Sequence, residues 1–398
     1  MEKFLGDYMT NVKVVIGANF GDEGKGLMTD YFCHQATSNG ESCVVAMGNG
    51  GAQRGHTVVD PSGIRHVFKH FGSGTFSMAD TYCTSDFILN PMEFRREYEE
   101  LSTINYIPQL YWNLNCRWST PYDMIINQIV EETREHKKHG SCGMGIWETV
   151  VRYQKHPFTP SLFKFWSDGY EQQVALLKNI RDAYVPERLK SYGIKSIPNT
   201  WKNIIYSDSL INNFISDVDF MIKHTIACGD NCLTTYQNIV FENGQGLLLD
   251  QNQIAFGDNT TPSNTGILNP LNTMNATFDK ANLEICYVTR TYLTRHGAGR
   301  FDEECDKSLI NVNMIDMTNQ TNQFQGSLRY GELNVEDLIY RTLSDLRYLS
   351  NSRFNWKSSF GVTHTNEKQF DYEELYRGPI KNVYLSNAED RNSVMLLK

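Results

Sequence analysis

Val12-Lys13-Val14-Val15-Ile16 runs straight into Gly17-Ala18-Asn19-Phe20-Gly21-Asp22-Glu23-Gly24-Lys25-Gly26, and the stretch from Leu27 to about Cys33 reads as a helix. An apolar run that empties through a glycine-rich loop into a helix start aims several N–H groups at one point, which suits phosphate. The glycines let the backbone turn tightly and approach a ligand without a Cβ in the way. Lys25 adds a mobile positive charge. Asp22 stands out, because a carboxylate beside phosphate is repelled unless it holds a metal or takes a proton. The stretch is not a P-loop. Counting back from Gly24-Lys25, the first glycine of that pattern falls on Asn19, and the magnesium-binding hydroxyl falls on Gly26. It is not the dinucleotide fingerprint G-x-G-x-x-G either. Taken alone, it also reads as a glycine-rich turn between strand and helix.

Outward from this loop, the chain has the length and composition of a large α/β protein. Its 398 residues, 40% hydrophobic and 21% charged, can bury a sizeable core. A net charge of −9 argues against general affinity for nucleic acid. No apolar run approaches the ~20 residues of a membrane span, and the opening residues lack a signal-peptide core. Nine dispersed cysteines without paired CxxC spacing fit reduced thiols and a cytoplasmic location.

Cys43–Met47 reads as a buried strand entering a second glycine loop, Gly48 to Thr57. Val58-Val59-Asp60 and Arg65–Lys69 flank a hairpin turn at Pro61-Ser62-Gly63. Asn90-Pro91 predicts a helix start, and Met124, Ile125, Ile129 and Val130 give another helix one apolar face. Gly140-Ser141-Cys142-Gly143-Met144-Gly145 is a third glycine loop. Helices are predicted over 170–192 and 208–227, and strands at Ile239–Phe241, Ile285–Val288 and Val383–Leu385. Asn334 caps a helix reaching about Leu349. Strands alternating with helices, with glycine loops after several strands, predict a single α/β domain over 1–398. Its sheet is mostly parallel and flanked by helices, with ligands at the strand C-termini.

Five ordered motifs resemble the adenylosuccinate synthetase family, which joins aspartate to a 6-oxopurine nucleotide and spends a nucleoside triphosphate. Phe20–Gly26 is similar to the family's tryptophan-GDEGKG, and Gly50-Gly51-Ala52-Gln53-Arg54-Gly55-His56-Thr57 to GG-x-N-A-GHT. Glu242–Gly246 resembles E-GAQG, Thr261–Thr265 resembles TSSNT, and Thr294–Gly299 resembles TR-x-GAG. The resemblance implies that Asp22 takes the purine N1 proton, so that the 6-oxygen attacks the γ-phosphate, while His56 stabilises charge on the transferring group. Gln245 reads the purine. Magnesium, held by Asp22 and the Gly55 carbonyl, would remove the repulsion noted above. Phosphate and nucleotide contacts are implied for Asn19, Gly21, Glu23, Gly24, Lys25, Gly26, Gly55 and Thr57. Asp22, Gln53, Ser141, Cys142, Gln245 and Thr265 would meet the purine monophosphate. Arg152 falls near an arginine that reaches into the partner subunit's nucleotide site, which implies a homodimer. Thr265, Ser327 and Arg329 would meet aspartate.

Three departures bear on the substrates. The aspartate loop TTGR-x-RR has as its counterpart Gln325-Gly326-Ser327-Leu328-Arg329-Tyr330-Gly331, in which Arg329 survives as a carboxylate clamp. Ser327 replaces an arginine that also touches the ribose 2′-hydroxyl. The guanine-reading T-K-L-D is expected near Leu349–Arg353, where no lysine or aspartate stands. Gln53 replaces a nucleotide-side asparagine. These changes point toward the family's viral branch, which uses dGMP with ATP to make the precursor of 2-aminoadenine nucleotides. Members of that branch carry serine where this chain keeps Asp22, so IMP with GTP is the alternative. A non-catalytic nucleotide-binding regulator and a nucleic-acid-binding scaffold are the readings from other classes. Asp22, His56 and Arg329 argue against the first, and the acidic charge argues against the second.

Other features have plain readings. His66 and His70, about 13 Å apart on a strand, are not expected to share a metal. Cys228 and Cys232 read as two core thiols, and His136–His139 as a solvated helix end. Arg295 and His296 are read as functional from the motif around them, and Glu23 equally as a loop-fixing or a substrate-facing residue.

Overall fold

The computed structural model describes residues 9–134, 140–156, 159–312 and 327–397. His136–His139 and Gln325-Gly326 lie outside these residues.

Ten strands form one sheet. In chain order they are β1 (Asn11–Gly17), β2 (Cys43–Met47), β3 (Asp80–Cys83), β4 (Leu110–Asn113) and β5 (Ile226–Cys228). They continue with β6 (Asn238–Gly246), β7 (Asn282–Arg290), β8 (Asn355–Thr363), β9 (Ile380–Leu385) and β10 (Met395–Leu397). Their spatial order is β5-β4-β3-β2-β6-β1-β7-β8-β9-β10, parallel throughout except for the last pair. The sheet is α/β and mostly parallel, as predicted.

Alternation within the central strands explains why both faces are covered. Val15, Val45, Val240 and Val288 point into one apolar cluster, while Val14, Ile16, Val44, Phe241 and Ile285 point into the other. Each fully buried Val or Ile contributes about 1.5–3 kcal/mol relative to exposure, so β1, sandwiched between β6 and β7, is anchored along most of its length.

The chain leaves β1 toward β2 on one side and returns to β7 and β8 on the other. That reversal opens a crevice at the C-terminal ends of β1, β6, β7 and β8, the usual place for a ligand in such a sheet. The first glycine loop leaves β1 there and enters helix α1 (Lys25–Ser38).

Asn90 caps the helix beginning at Pro91, its side chain accepting from Glu93 N as the Asn-Pro signal predicts. The helix from Pro121 buries Ile125, Ile129 and Val130. Helix 170–192 forms with a π-helical stretch at Ile180–Tyr184, and helix 208–227 ends at His224 because Ile226–Cys228 becomes edge strand β5. Cys228 and Cys232 therefore lie on a strand and a 3₁₀ turn, and both remain free thiols packed against the core. His66 and His70 both turn toward Glu97, each 3.7 Å from one of its oxygens. They share a carboxylate, and among the described residues no group of three metal-ligating side chains forms. No described helix is long and apolar enough to cross a membrane.

Candidate active site

The first glycine loop is held by backbone contact with the end of β6. A Cβ at Gly246 would lie 2.3 Å from Asn19 O, and one at Gly17 would lie 2.7 Å from Gln245 O. Gln245 itself takes a left-handed backbone (φ 66°), a conformation that costs a non-glycine residue about 1–3 kcal/mol unless its surroundings enforce it. Glu23 closes the loop from within, accepting from Asn19 N at 3.1 Å and Gly21 N at 2.7 Å. Glu23 is thus a loop-fixing residue, buried away from the cavity surface. Asn19 is also committed to the fold. Its amide donates to Thr289 at 3.0 Å and accepts from Arg341 at 2.6 Å.

Gly21, Asp22, Gly24, Lys25, Gly26, Gly55, His56 and Thr57 line one cavity of about 330 Å³. Gly24 precedes α1 with φ 90°, and its missing Cβ leaves room for Thr363, 2.9 Å from where that atom would be. Gly24, Lys25 and Gly26, where α1 begins, border the cavity, and the buried Lys25 ammonium donates to Gly21 O. Burial lowers the Lys25 pKa, and Glu23, 3.7 Å from its Nζ, opposes that shift. Asp22 keeps its carboxylate partly exposed. Its backbone carbonyl accepts from Arg290 Nε at 2.6 Å, and His296 Nε2 lies 3.8 Å from its Oδ2.

His56 is built from behind. Its Nδ1 donates to Glu242 Oε1 at 2.6 Å, which turns the other edge of the ring, with Nε2, toward the cavity. Arg54 Nη2 pairs with Glu242 Oε2 at 3.1 Å, and Ser73 donates to both carboxylate oxygens. Burial pushes the His56 imidazole down to about 4, although Glu242 pulls the other way. Burial would raise the Glu242 carboxyl, but His56 and Arg54 together hold it well below the usual carboxylate range. Glu242, Arg54, Ser73 and Arg290 were not expected as functional residues. Arg54 stands where the GG-x-N-A-GHT motif has alanine, and that exchange was the available signal.

The remaining motifs converge on this frame. Asn49 accepts from Gly244 N at 2.6 Å and donates to Asn264 O at 3.0 Å, joining three loops. Thr265 is fully buried, with its hydroxyl on Gly246 O at 3.0 Å, so it pins this junction and does not face a ligand here. The Arg295 guanidinium stacks over Phe20, 4.8 Å from its centroid, and donates to Ala298 O and Arg300 O. That makes Arg295 a support for the Asp22 loop. Gln53 sits beside Gly50, both of its amide atoms buried and without a hydrogen-bond partner among the described residues. Ser141 pairs with Asn127, and the Cys142 thiol is pushed up by burial. Their loop neighbours the second glycine loop through Ile146, whose Cδ1 is 2.8 Å from a Cβ placed on Gly51.

Three stretches have surroundings other than those expected. Arg152 is buried, its guanidinium held bidentately by Asp123 and by Trp118 O at 2.7 Å, so within the single chain it points inward. The stretch Leu349–Arg353 lies away from the cavity, with Leu349 in the core and Arg353 bound to Asn275 and Phe278 carbonyls. The end of β8 lines the cavity instead. There Thr363-His364-Thr365-Asn366 has the threonine and spacing of T-K-L-D, with an amide where the carboxylate stands. Arg329 is not free. Glu304 takes it in a bidentate pair, and its Nη1 donates to Gly297 O and Gly299 O. Ser327 is exposed beside it.

The sequence model of the family described as Adenylosuccinate synthetase matches residues 14–326. The chain belongs to the adenylosuccinate synthetase family. The adenylosuccinate synthetase of Mesoplasma florum is 26% identical over 309 residues, covering 74% of this chain and 65% of the relative. That of Gloeothece citriformis is 26% identical over 304 residues, covering 74% and 62%. The chain thus spans less than two thirds of these relatives' length. Two solved structures share the fold. Fully ligated adenylosuccinate synthetase from Plasmodium falciparum has a TM-score of 0.70 at 15% identity, covering 98% of this chain and all of that one. Cyanophage S-2L succinoaminodeoxyadenylate synthetase, bound to dGMP and to dATP as energy donor, has a TM-score of 0.63 at 12% identity, covering 97% and 95%.

Proposed function

We propose that this protein is a C–N ligase, with the whole chain as one catalytic domain. It would join L-aspartate to C6 of a purine nucleoside monophosphate through a 6-phosphoryl intermediate. The observation that carries this reading is the meeting of Asp22, His56 and Lys25 on one cavity at the N-terminus of α1.

The chemistry follows from that arrangement. The purine 6-oxygen is a poor leaving group. Asp22 removes the N1 proton, the 6-oxygen bonds to the γ-phosphorus, and the nucleoside diphosphate leaves. Lys25 and the amides of Gly24–Gly26 hold the triphosphate. Burial, which pushes the imidazole down to about 4, keeps His56 neutral near pH 7. A phosphoryl group beside Nε2 raises its proton affinity, and Glu242 behind it supports the resulting cation, so that Nε2–H stabilises the transferring oxygens. The aspartate amine then bonds to C6 and expels inorganic phosphate. Arg329 holds the aspartate carboxylate after exchanging it for Glu304. The Asp22 carboxylate and the Gly55 carbonyl, hard oxygen donors facing one cavity, fit magnesium, which when bound neutralises phosphate charge.

The favoured pair is dGMP with ATP. Asn366, Glu367 and Asn387–Glu389 also line the cavity, and the base of the triphosphate is assigned to them. An aspartate accepts both N–H groups on the edge of guanine, whereas the Asn366 amide offers one acceptor and one donor, the pattern that adenine's N1 and N6 complement. Ser327 in place of arginine removes a contact that only ribose needs. The cyanophage neighbour's dGMP and dATP are consistent with this choice. Retained Asp22 favours the second reading, IMP with GTP. A four-way comparison of dGMP and IMP against ATP and GTP, with magnesium and aspartate, decides between them. Succinyl-purine formed fastest from dGMP and ATP supports the first reading, and turnover of none of the four pairs refutes both. A homodimer is proposed from family membership alone, and its mass in solution tests it.

A further inference from the structure

The Arg54 guanidinium is a large fixed charge placed directly behind the cavity, and the chemistry above does not use it. It is 3% exposed. Nη2 lies 3.1 Å from Glu242 Oε2 and 3.0 Å from His56 Nδ1, while Nη1 donates to Met47 Sδ at 3.2 Å. A carboxylate only 2.6 Å from Nδ1 requires the proton on that nitrogen, so the Arg54 contact with His56 is a charge lying alongside the ring and not a second hydrogen bond. The aliphatic stem of Arg54 occupies a slot that two glycines open. A Cβ at Gly50 would lie 3.3 Å from its Cγ and Cδ, and one at Gly244 would lie 3.2 Å from its Cγ. The motifs to which these loops are similar have alanine at the positions of both Arg54 and Gly244. Across one contact, this chain has exchanged small for large and alanine for glycine.

We propose that Arg54 is a positioning residue. By occupying Glu242 Oε2 it leaves Oε1 to His56, fixes the Nδ1–H tautomer of His56, and so presents a bare Nε2 to the cavity. Gly244 is the gap that admits it. Without Arg54, the Glu242 carboxylate keeps His56 and Ser73 but loses its one charged partner on Oε2, which leaves the backbone N–H of Ser73 alone to hold that oxygen. The neutral ring could then carry its proton on either nitrogen. Its Nε2–H form would lack the Nδ1–H bond to Glu242 that supports the imidazolium during transfer. The inference deepens the ligase reading of the same site and rests on it for its kinetic arm.

Two measurements on the full chain test it. By ¹⁵N NMR of histidine-labelled protein, with His56→Asn giving the assignment, wild type should show a single Nδ1–H tautomer at His56 and Arg54→Ala an averaged one. The same single tautomer in both would overturn the proposal whether or not the protein is a ligase. In steady-state kinetics, Arg54→Ala should lower kcat at least tenfold with KM for both nucleotides within threefold. In the His56→Asn background the same change should cost less than twofold. Equal losses in the two backgrounds, or an effect confined to KM, would overturn it. Arg54→Lys, which keeps the charge but offers one nitrogen in place of a fork, decides the matter if the alanine variant does not fold. An intermediate loss of kcat is expected, and wild-type kcat would count against the proposal. A wild type that turns over no substrate pair but shows the tautomer shift sinks the ligase reading and leaves the positioning role standing.

Discussion

The phosphate side and the aspartate side of this crevice are built on opposite terms. On the phosphate side, Asp22, Lys25 and His56 sit on or beside loops whose backbones touch, with Gly17 and Gly246 packed too closely for any Cβ. Their supporting partners, Glu23, Glu242, Arg54 and Arg341, are buried or nearly so and hydrogen-bonded. On the aspartate side, Arg329 lies on the short middle strand of a small three-stranded sheet, partly exposed, and is already satisfied by Glu304. A preformed centre pays its ordering cost at folding, and a clamp occupied by its own carboxylate pays at binding. The difference teaches that reaction type is written into buried backbone contacts, while substrate preference is written into side chains at the rim.

The largest effect that would break this comparison is at the centre. Asp22→Asn should lower kcat by roughly a thousandfold, in the upper range for loss of a positioned base, while triphosphate affinity stays within a few fold. Rapid-quench assays and calorimetric binding check the two halves. An active variant would mean that the centre is not where the proton is taken. Glu242→Gln should come next. Removing one charge of the buried Arg54–Glu242 pair strands the other, at a cost of about 3–5 kcal/mol of stability by denaturant unfolding. A loss below ~1 kcal/mol would say that the support is dispensable.

A pH effect of middling size sharpens the same contrast. Asp345 anchors the loop after Thr265 by accepting from Ile267 N at 3.1 Å and Tyr287 OH at 2.8 Å, and burial raises its carboxyl to about 6. The folded state then holds a proton that the unfolded state releases near 3.8. The stability this group contributes is present in full below about pH 4 and is lost as pH rises through 6, at about 1.4 kcal/mol per unit. The unfolding free energy of wild type minus that of Asp345→Asn should therefore fall by roughly 2–3 kcal/mol between pH 4 and 7. A flat difference would contradict the assignment. The smallest effect lies at the rim. Glu304→Gln should leave stability within about 0.5 kcal/mol, as expected for an exposed pair. It should lower KM for aspartate about two- to fivefold by releasing Arg329. An unchanged KM would mean that the pair does not compete with substrate.

The same division decided what could be read before the structure was in view. Apolar runs such as Val12–Ile16 and Cys43–Met47 announced central strands because both faces of a parallel sheet are buried. β8 escaped notice because Lys357, Ser358 and Ser359 interrupt its pattern, although both serines are buried with their hydroxyls on backbone carbonyls. Missing β8 moved the base-reading segment to Leu349–Arg353, some fourteen residues too early against Thr363–Asn366. Asp22, Lys25 and His56 were legible because their motifs are local. The Arg152–Asp123 pair was not legible because a motif fixes the position of a side chain along the chain and not its direction. Arg290 and Glu242 act through contacts made across the sheet, and no local pattern announces such a contact.

Transfer of the purine oxygen to phosphate is the step on which the whole account turns. Wild-type protein given dGMP labelled with ¹⁸O at position 6, together with ATP, aspartate and magnesium, should release inorganic phosphate carrying one ¹⁸O, as read by mass spectrometry. Turnover that releases unlabelled phosphate would contradict the 6-phosphoryl route and, with it, the roles given to Asp22 and His56.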